Sequence, residues 1–400
     1  MVEIHEVKTK KELLQFVQFG IDLYDGEPNY CPPLIFDEMN SFDPAKNPAL
    51  DVCDFALFLA FRDKQIVGRV AAIINHKANE KWNYKHVRFG WIDFIDDKEV
   101  SQTLLQTVCD WGKARGMEGL NGPVGFTDWD KEGCLIRGFE YDSPMTSLFN
   151  YPYYAEHFED FGLRKEVDWI EYRVFVPKQI PEKMQRVAQI ASERYGVKVE
   201  KFKSARELMK RFPNYEYMDV LNEAYLPLYN FQPMTEKQKK YYANMYFPLL
   251  NYDFVTVITN AKDEIVGVGV GMPDISPALR KSKGKLFPFG WFHILKMLKA
   301  KKMDVFDLLL IAVRPDYQNK GINALFFYDQ VTYFQKYGIK YAETTSILET
   351  NNKNLANWEY FETLQHKRRR AYLKSIWRSR SATQTKAPRN EAPFVVTGHQ

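Results

Sequence analysis

Four hundred residues, 45% of them apolar and 15% aromatic, suffice for two domains or one large one and exclude a disordered chain. A net charge of +4 is small for this length, and the basic residues are spread along the chain, so no nucleic-acid partner is expected. Cys31, Cys53, Cys109 and Cys134 lack short paired spacings, which argues against a zinc knuckle or a disulfide framework and for a reducing cytosol. The first residues hold no apolar core of signal-peptide length, and nowhere do about 18 uncharged apolar residues run together. A soluble, cytoplasmic protein is expected, or one lying peripherally on the inner membrane face.

In chain order, residues 2–7 read as a strand and 11–24 as an amphipathic helix carrying Leu13, Leu14, Val17, Phe19 and Leu23. A loop and short helix over 29–43 follow, then strands 55–62 and 65–75 joined by Asp63-Lys64, a hairpin signal. Residues 87–95 form a further strand, 98–115 a helix and 119–126 another strand. The helix at Lys98 is entered through Asp96-Asp97-Lys98-Glu99, with no glycine. Carboxylates suit a helix N-terminus, but they fill it with negative charge and would repel a phosphate.

The stretch 177–181, with prolines at both ends, is the natural linker, dividing the chain at 176/177. The order of elements then repeats: helix 182–195, strand 197–202, helices from 205 to 250, strand 253–260, turn, strand 265–271. Tyr225, Tyr229, Phe231 and Tyr242 are candidate walls of a substrate pocket, or simply helix-packing aromatics. Residues 286–303 combine Trp291, Phe292, Ile294, Leu295 and Leu298 with Lys296, Lys299, Lys301 and Lys302. Such a helix can lie on an anionic bilayer or lid a pocket for a lipid chain, and most such stripes pack on a core.

Phe306 to Val313 is an apolar run bounded by charge and proline, a strand buried on both faces. Residues 322–338 have helical spacing of Ala324, Phe327, Tyr328, Val331 and Phe334. The turn between them, Gln318-Asn319-Lys320-Gly321-Ile322-Asn323, has a glycine and no acid. Free amides and the helix dipole at such a turn favour an anion by up to ~2 kcal/mol. Val313-Arg314-Pro315-Asp316-Tyr317-Gln318-Asn319-Lys320-Gly321-Ile322-Asn323 resembles the acyl-CoA pyrophosphate loop of the GCN5-related N-acetyltransferases (GNATs). Val313, Pro315, Tyr317, Gln318, Gly321 and Ile322 match the family pattern, and Asn323 replaces its last small residue. In the first half, Gly122-Pro123-Val124-Gly125-Phe126, Gly133 to Phe139, Asn150 to Tyr154 and Phe161-Gly162-Leu163 resemble bacterial double-GNAT proteins whose leading copy is degenerate.

The resemblance implies an α/β fold with two GNAT-like units, each a splayed mixed sheet flanked by helices, at 1–176 and 177–375, with a disordered tail at 376–400. It implies acetyl-CoA or a longer acyl-CoA as co-substrate, bound by Ala312, Val313, Arg314, Gln318 to Asn323, Asn351 and Asn354, with the amide of Val313 or Arg314 as oxyanion donor. The acceptor is a small or lipid-like primary amine, and no metal is required. Glu343, pointing into the splay, is the first choice of base and Glu349 the second. Tyr360 is adjacent to the place where the family often uses a phenol as general acid. Lys367-Arg368-Arg369-Arg370 is expected to be a solvated basic edge before a closing strand at 371–374. A CoA-binding module without catalysis and a tandem-GNAT transferase using aminoacyl-tRNA are the competing classes.

Overall fold

A computed structural model describes residues 1–377; the tail expected to be disordered lies, from 378 onward, outside the described residues. In chain order the strands are β1 (Glu3–Glu6), β2 (Cys53–Arg62), β3 (Gln65–Asn75), β4 (His86–Phe94), β5 (Gly119–Gly122), β6 (Cys134–Arg137) and β7 (Arg164–Phe175). They continue with β8 (Lys198–Glu200), β9 (Val255–Thr259), β10 (Ile265–Pro273), β11 (Val305–Val313), β12 (Tyr341–Thr344), β13 (Ile347–Leu348) and β14 (Thr363–Ser375). All join one mixed sheet ordered β1-β2-β3-β4-β5-β14-β7-β12-β11-β10-β9-β8, with β6 beside β14 and β13 beside β7. The expected α/β class and duplicated order are therefore present. Each half has an antiparallel hairpin, β2-β3 or β9-β10, followed by a parallel pair, β4-β5 or β11-β12, whose crossover is a helix.

The two halves exchange their last strands. β7, from the first half, lies between β14 and β12, while β14, at the far end of the described chain, pairs with β5. This corrects the reading of Lys367-Arg368-Arg369-Arg370. The run sits in the middle of a thirteen-residue strand, with Lys367 1% and Arg369 0% exposed. Strand alternation sends Lys367 and Arg369 to one face, where both meet Glu171. Arg368 and Arg370 go to the other face and share Asp168. Four consecutive cations are tolerable there because the partner strand supplies one carboxylate per face.

The helix Ile322–Tyr337 packs on the second hairpin through Phe326, while Phe327 is buried against Trp358 and Phe361 and Phe334 against Phe254 and Phe306. Gly267 and Gly269 on β10 make room for it: a Cβ at either would stand 2.8 or 2.9 Å from the Phe326 ring. That close approach sets the height at which the helix N-terminus meets the end of β11.

Candidate active site

β11 and β12 pair in parallel over Val305 to Leu308 and then part. The divergence begins at a bulge, because Val270 faces Leu310 and Gly271 faces Leu308, leaving Leu309 as the extra residue. Beyond it the backbone groups of Ile311 and Val313 face the gap. The alternation follows from the Arg314 amide, which donates to Val266 on the other side at 2.9 Å. Of the two amides offered as oxyanion donor, Arg314 is therefore engaged and Val313 is directed into the gap. Tyr225 donates its hydroxyl to the Ile311 carbonyl at 3.1 Å, and Gln318 Nε2 donates to the Val313 carbonyl at 3.1 Å.

The turn that follows is built for an anion. Asn319 (φ 61°) and Gly321 (φ 76°) are left-handed, and no side chain caps the helix starting at Ile322. A Cβ on Gly321 would stand 2.8 Å from Val187 Cγ1 of the helix Glu182–Tyr195, so the position is confined as well as left-handed. Asn323 turns its amide group away, donating to Asn357 Oδ1 at 2.8 Å, which leaves the amides of the turn uncovered. Lys353 reaches Gln318 Oε1 at 3.0 Å, and Lys320 lies over the rings of Tyr195 and Tyr317. Arg314 is held by Asp316 and Glu264.

Turn and gap open into one cavity of about 1280 Å³. Ala312, Val313, Gln318, Asn319, Gly321 to Asn323, Asn351, Asn354 and Tyr360 line it, as do Tyr225 and Tyr229. Phe231 lies behind that wall, edge-on to Tyr225 at 5.9 Å. Glu343 is not in the lining. Its register beside Arg173 and Asp307 puts it among buried charges behind the gap, where Arg173 donates twice to Oε1 (2.8 and 2.7 Å) and His366 Nε2 lies 2.8 Å from Oε2. Burial works to raise its pKa, and the contacts to His366, Lys367 and Arg173 outweigh it and hold the carboxyl below its usual range. Glu349 is also occupied, by Lys165 at 2.6 Å and Arg368 at 2.9 Å.

The acids that do face the cavity come from the first half. Asp128, Asp130 and Glu132 lie on the loop after β5 and line the cavity, with Trp129 stacked on Tyr242 at 5.3 Å. Burial pushes the Asp128 carboxyl up to about 7 and the Asp130 carboxyl up to about 6, and Glu132, next to both, rises well above the carboxylate range. Asp130 is pinned by the Thr127 amide at 3.0 Å. Asp128 Oδ1 is buried with no hydrogen-bond partner among the described residues. Its charge also acts on the Tyr225 hydroxyl, which sits on the Ile311 carbonyl at the gap. The motif T-D-W-D-K-E-G offers only alternating carboxylates in a loop, ordinarily a solvated pattern. Packing against the second half, Trp129 on Tyr242, leaves it half-buried instead.

The first half's own gap is closed. β5 ends at Gly122, earlier than the expected 126, and the chain turns back so that the Val124 amide donates to Phe89 of β4 at 3.0 Å. Gly90 and Gly122 permit this, since a Cβ at either would fall 2.5 or 2.3 Å from a backbone oxygen. At the neighbouring helix start, Asp97 caps the Val100 amide and pairs with Arg62 at 2.6 Å. The anion position of this half is filled by its own side chain.

A bulged strand splaying from its parallel neighbour, with an amide-lined turn leading into the crossover helix, is the GNAT fold; the second half has all of it, and the first repeats its element order with the gap closed. The chain has the fold of a tandem GNAT protein. In solved structures it is similar to a tandem GNAT protein from the clavulanic acid biosynthesis pathway (TM-score 0.56, 10% identity, covering 95% of this chain and 100% of that one). It is likewise similar to a GCN5-related N-acetyltransferase from Sphaerobacter thermophilus (TM-score 0.51, 10% identity, 96% and 98% covered). Among curated proteins it is 29% identical over 383 residues to Protein YghO of Escherichia coli (strain K12), covering 92% of this chain and 94% of that one. It is 28% identical over 325 residues to a bacterial ceramide synthase of Caulobacter vibrioides (strain NA1000 / CB15N), covering 78% and 80%. No family model matches the chain.

Proposed function

We propose that the protein is an acyl-CoA-dependent N-acyltransferase that moves an acyl group from CoA to a primary amine carried on a lipid-like chain. The observation that carries this reading is the single cavity joining the amide-lined turn and strand gap to the half-buried Asp128, whose Oδ1 has no hydrogen-bond partner among the described residues. The donor's thioester is already activated, so the protein has to orient it, stabilise an oxyanion and remove a proton from the acceptor. The turn from Gln318 to Asn323, with Lys320 and Lys353, holds the coenzyme's phosphates, and the Val313 amide receives the oxyanion. An ammonium of ordinary pKa near ~10.4 costs about 4–5 kcal/mol to deprotonate at pH 7. A carboxyl titrating near 7 is matched to that work, and Asp128 is assigned as base, directly or through water. The opposite end of the cavity is apolar (Met272, Leu279, Leu286, Ile294, Leu298), which suits an aliphatic chain. The similarity to a ceramide synthase favours the same class of acceptor, because a ceramide is an N-acylated long-chain amino alcohol.

The test is thiol release from acetyl-CoA and palmitoyl-CoA over amines from short and soluble to long-chain amino alcohols, with calorimetry of coenzyme binding alongside. Turnover greatest with a long-chain amine is expected. Absence of coenzyme binding removes the reading, and binding without turnover on every amine favours a module that only holds CoA. Tyr360, in the turn that also carries Asn357 and Trp358, is assigned to protonate the departing thiolate. Tyr360→Phe is expected to lower kcat about tenfold with little change in coenzyme affinity, read from steady-state kinetics and calorimetry.

A further inference from the structure

We infer that the rim of this cavity docks on an anionic bilayer and takes its amine directly from the membrane, an inference that rests on the lipid-like acceptor proposed above. Large apolar side chains are exposed in one cluster. Phe287 is 78%, Phe289 68% and Phe292 53% exposed, beside Trp291 and Leu295 on the helix Gly290–Leu298. This helix turns Gly290, Ile294 and Leu298 inward at a spacing of four. Gly290 lies so close to the Lys285 carbonyl that a Cβ there would be 1.8 Å from it, so the inward face is fixed.

Trp291 and Leu295 are both exposed and part of the cavity lining, and so are Phe36, Tyr246 and Leu249. The Ile35 amide donates to the Gly284 carbonyl at 3.0 Å, bringing Phe36 beside the cluster. The mouth is thus ringed by side chains that face both the interior and the outside. Between Asp274 and Asp304 the chain carries Arg280, Lys281, Lys283, Lys285, Lys296, Lys299, Lys301 and Lys302 and no acid. Arg280 and Lys283 are paired with Asp142 and Asp25; Lys296, Lys299, Lys301 and Lys302 are exposed and make no ion pair among the described residues. Asp37 and Glu38, the acids nearest Phe36, line the cavity itself. Exposed aromatics within a cationic field, around the opening of a pocket with an apolar end, select a negatively charged lipid surface over water and over a neutral one. Among the described residues no helix is long and apolar enough to cross a membrane.

The experiment is co-sedimentation of the full chain with vesicles of equal parts phosphatidylglycerol and phosphatidylcholine, and with phosphatidylcholine alone. The wild type should bind the anionic vesicles at least about tenfold more tightly, and added salt should erode the difference. Each lysine near the surface is worth roughly fivefold, so Lys296→Glu with Lys299→Glu should remove most of the preference. Phe287→Ser, Phe289→Ser and Phe292→Ser together should lower binding to either vesicle about tenfold or more while leaving calorimetric CoA binding unchanged, which shows the variant is folded. Equal partition to both vesicles, or a triple variant that binds like the wild type, overturns the inference. So does a dimer in analytical ultracentrifugation that the triple variant disperses, since the patch would then belong to a second copy. Vesicle binding is read without donor or amine, so its failure is separable from failure of the acyltransferase reading.

Discussion

Gly321→Glu should weaken coenzyme A binding by at least about a hundredfold in calorimetry, whereas Asp97→Asn should leave it unchanged. Gly321 does two things that the substitution separates. Its φ of 76° lies in the left-handed region, where a side chain costs roughly 1–2 kcal/mol, and a Cβ there presses on Val187. Those penalties fall on the folded state with or without ligand, so they lower the melting temperature more than the affinity. The carboxylate acts on the ligand. At an effective dielectric near 20, a unit charge about 4 Å from a phosphate repels it by about 4 kcal/mol, well above the ~2.7 kcal/mol that a hundredfold loss requires. Gly321→Ala isolates the backbone part, with a destabilisation similar to that of glutamate and a loss of affinity of tenfold or less. Asp97 holds the corresponding place in the first half, already neutralised by Arg62 and closed by its own cap. Wild-type affinity in Gly321→Glu, or a coenzyme whose affinity follows Asp97, would place the ligand elsewhere.

The parts of the fold that are local in sequence were the legible ones. The run from Phe306 to Gly338 declares a strand, a glycine turn and a helix because all three depend on neighbouring residues, and each hairpin is signalled by its own turn. Strand exchange depends on partners nearly two hundred residues apart, such as Arg369 and Glu171, and nothing local distinguishes a central cationic strand from an edge. Glu343 illustrates the same limit. Its strand and the gap beside it were legible, but its engagement required Arg173 on β7 and His366 on β14. Residues 352–360 form a short helix and a 3-10 turn in place of one continuous helix, and Trp358 reaches inward there to pack against Phe327. The aspartates of the loop after β5 were invisible as site residues because burial by the other half, rather than their spacing, gives them their chemistry. The first half, although its own gap is closed, therefore contributes a wall of the cavity into which the turn from Gln318 to Asn323 opens.

Asp128→Asn should lower kcat by about a hundredfold to a thousandfold and abolish the rise of activity with pH that the wild type shows around neutrality. A carboxyl pushed up to about 7 is protonated and idle in mild acid, so turnover climbs as pH passes through that value and then levels. Stability runs the other way. The folded-state pKa lies above the unfolded value of about 3.9, so the native state holds the proton more tightly and stability falls as pH rises between roughly 4 and 7. Asparagine does not titrate, so the variant should match or exceed the wild type in urea at pH 8, and lost turnover then cannot be blamed on unfolding. Glu343→Gln is the informative comparison. Its carboxylate is held ionised by Arg173 and His366, so stability present at neutral pH is lost as pH falls through its depressed pKa. Removing that charge should destabilise the exchanged strands and leave the neutral-pH limb of the rate profile in place. If instead Glu343→Gln erases the limb and Asp128→Asn retains it, the proton is taken from behind the gap, through β12, and the first half's loop serves only to bind.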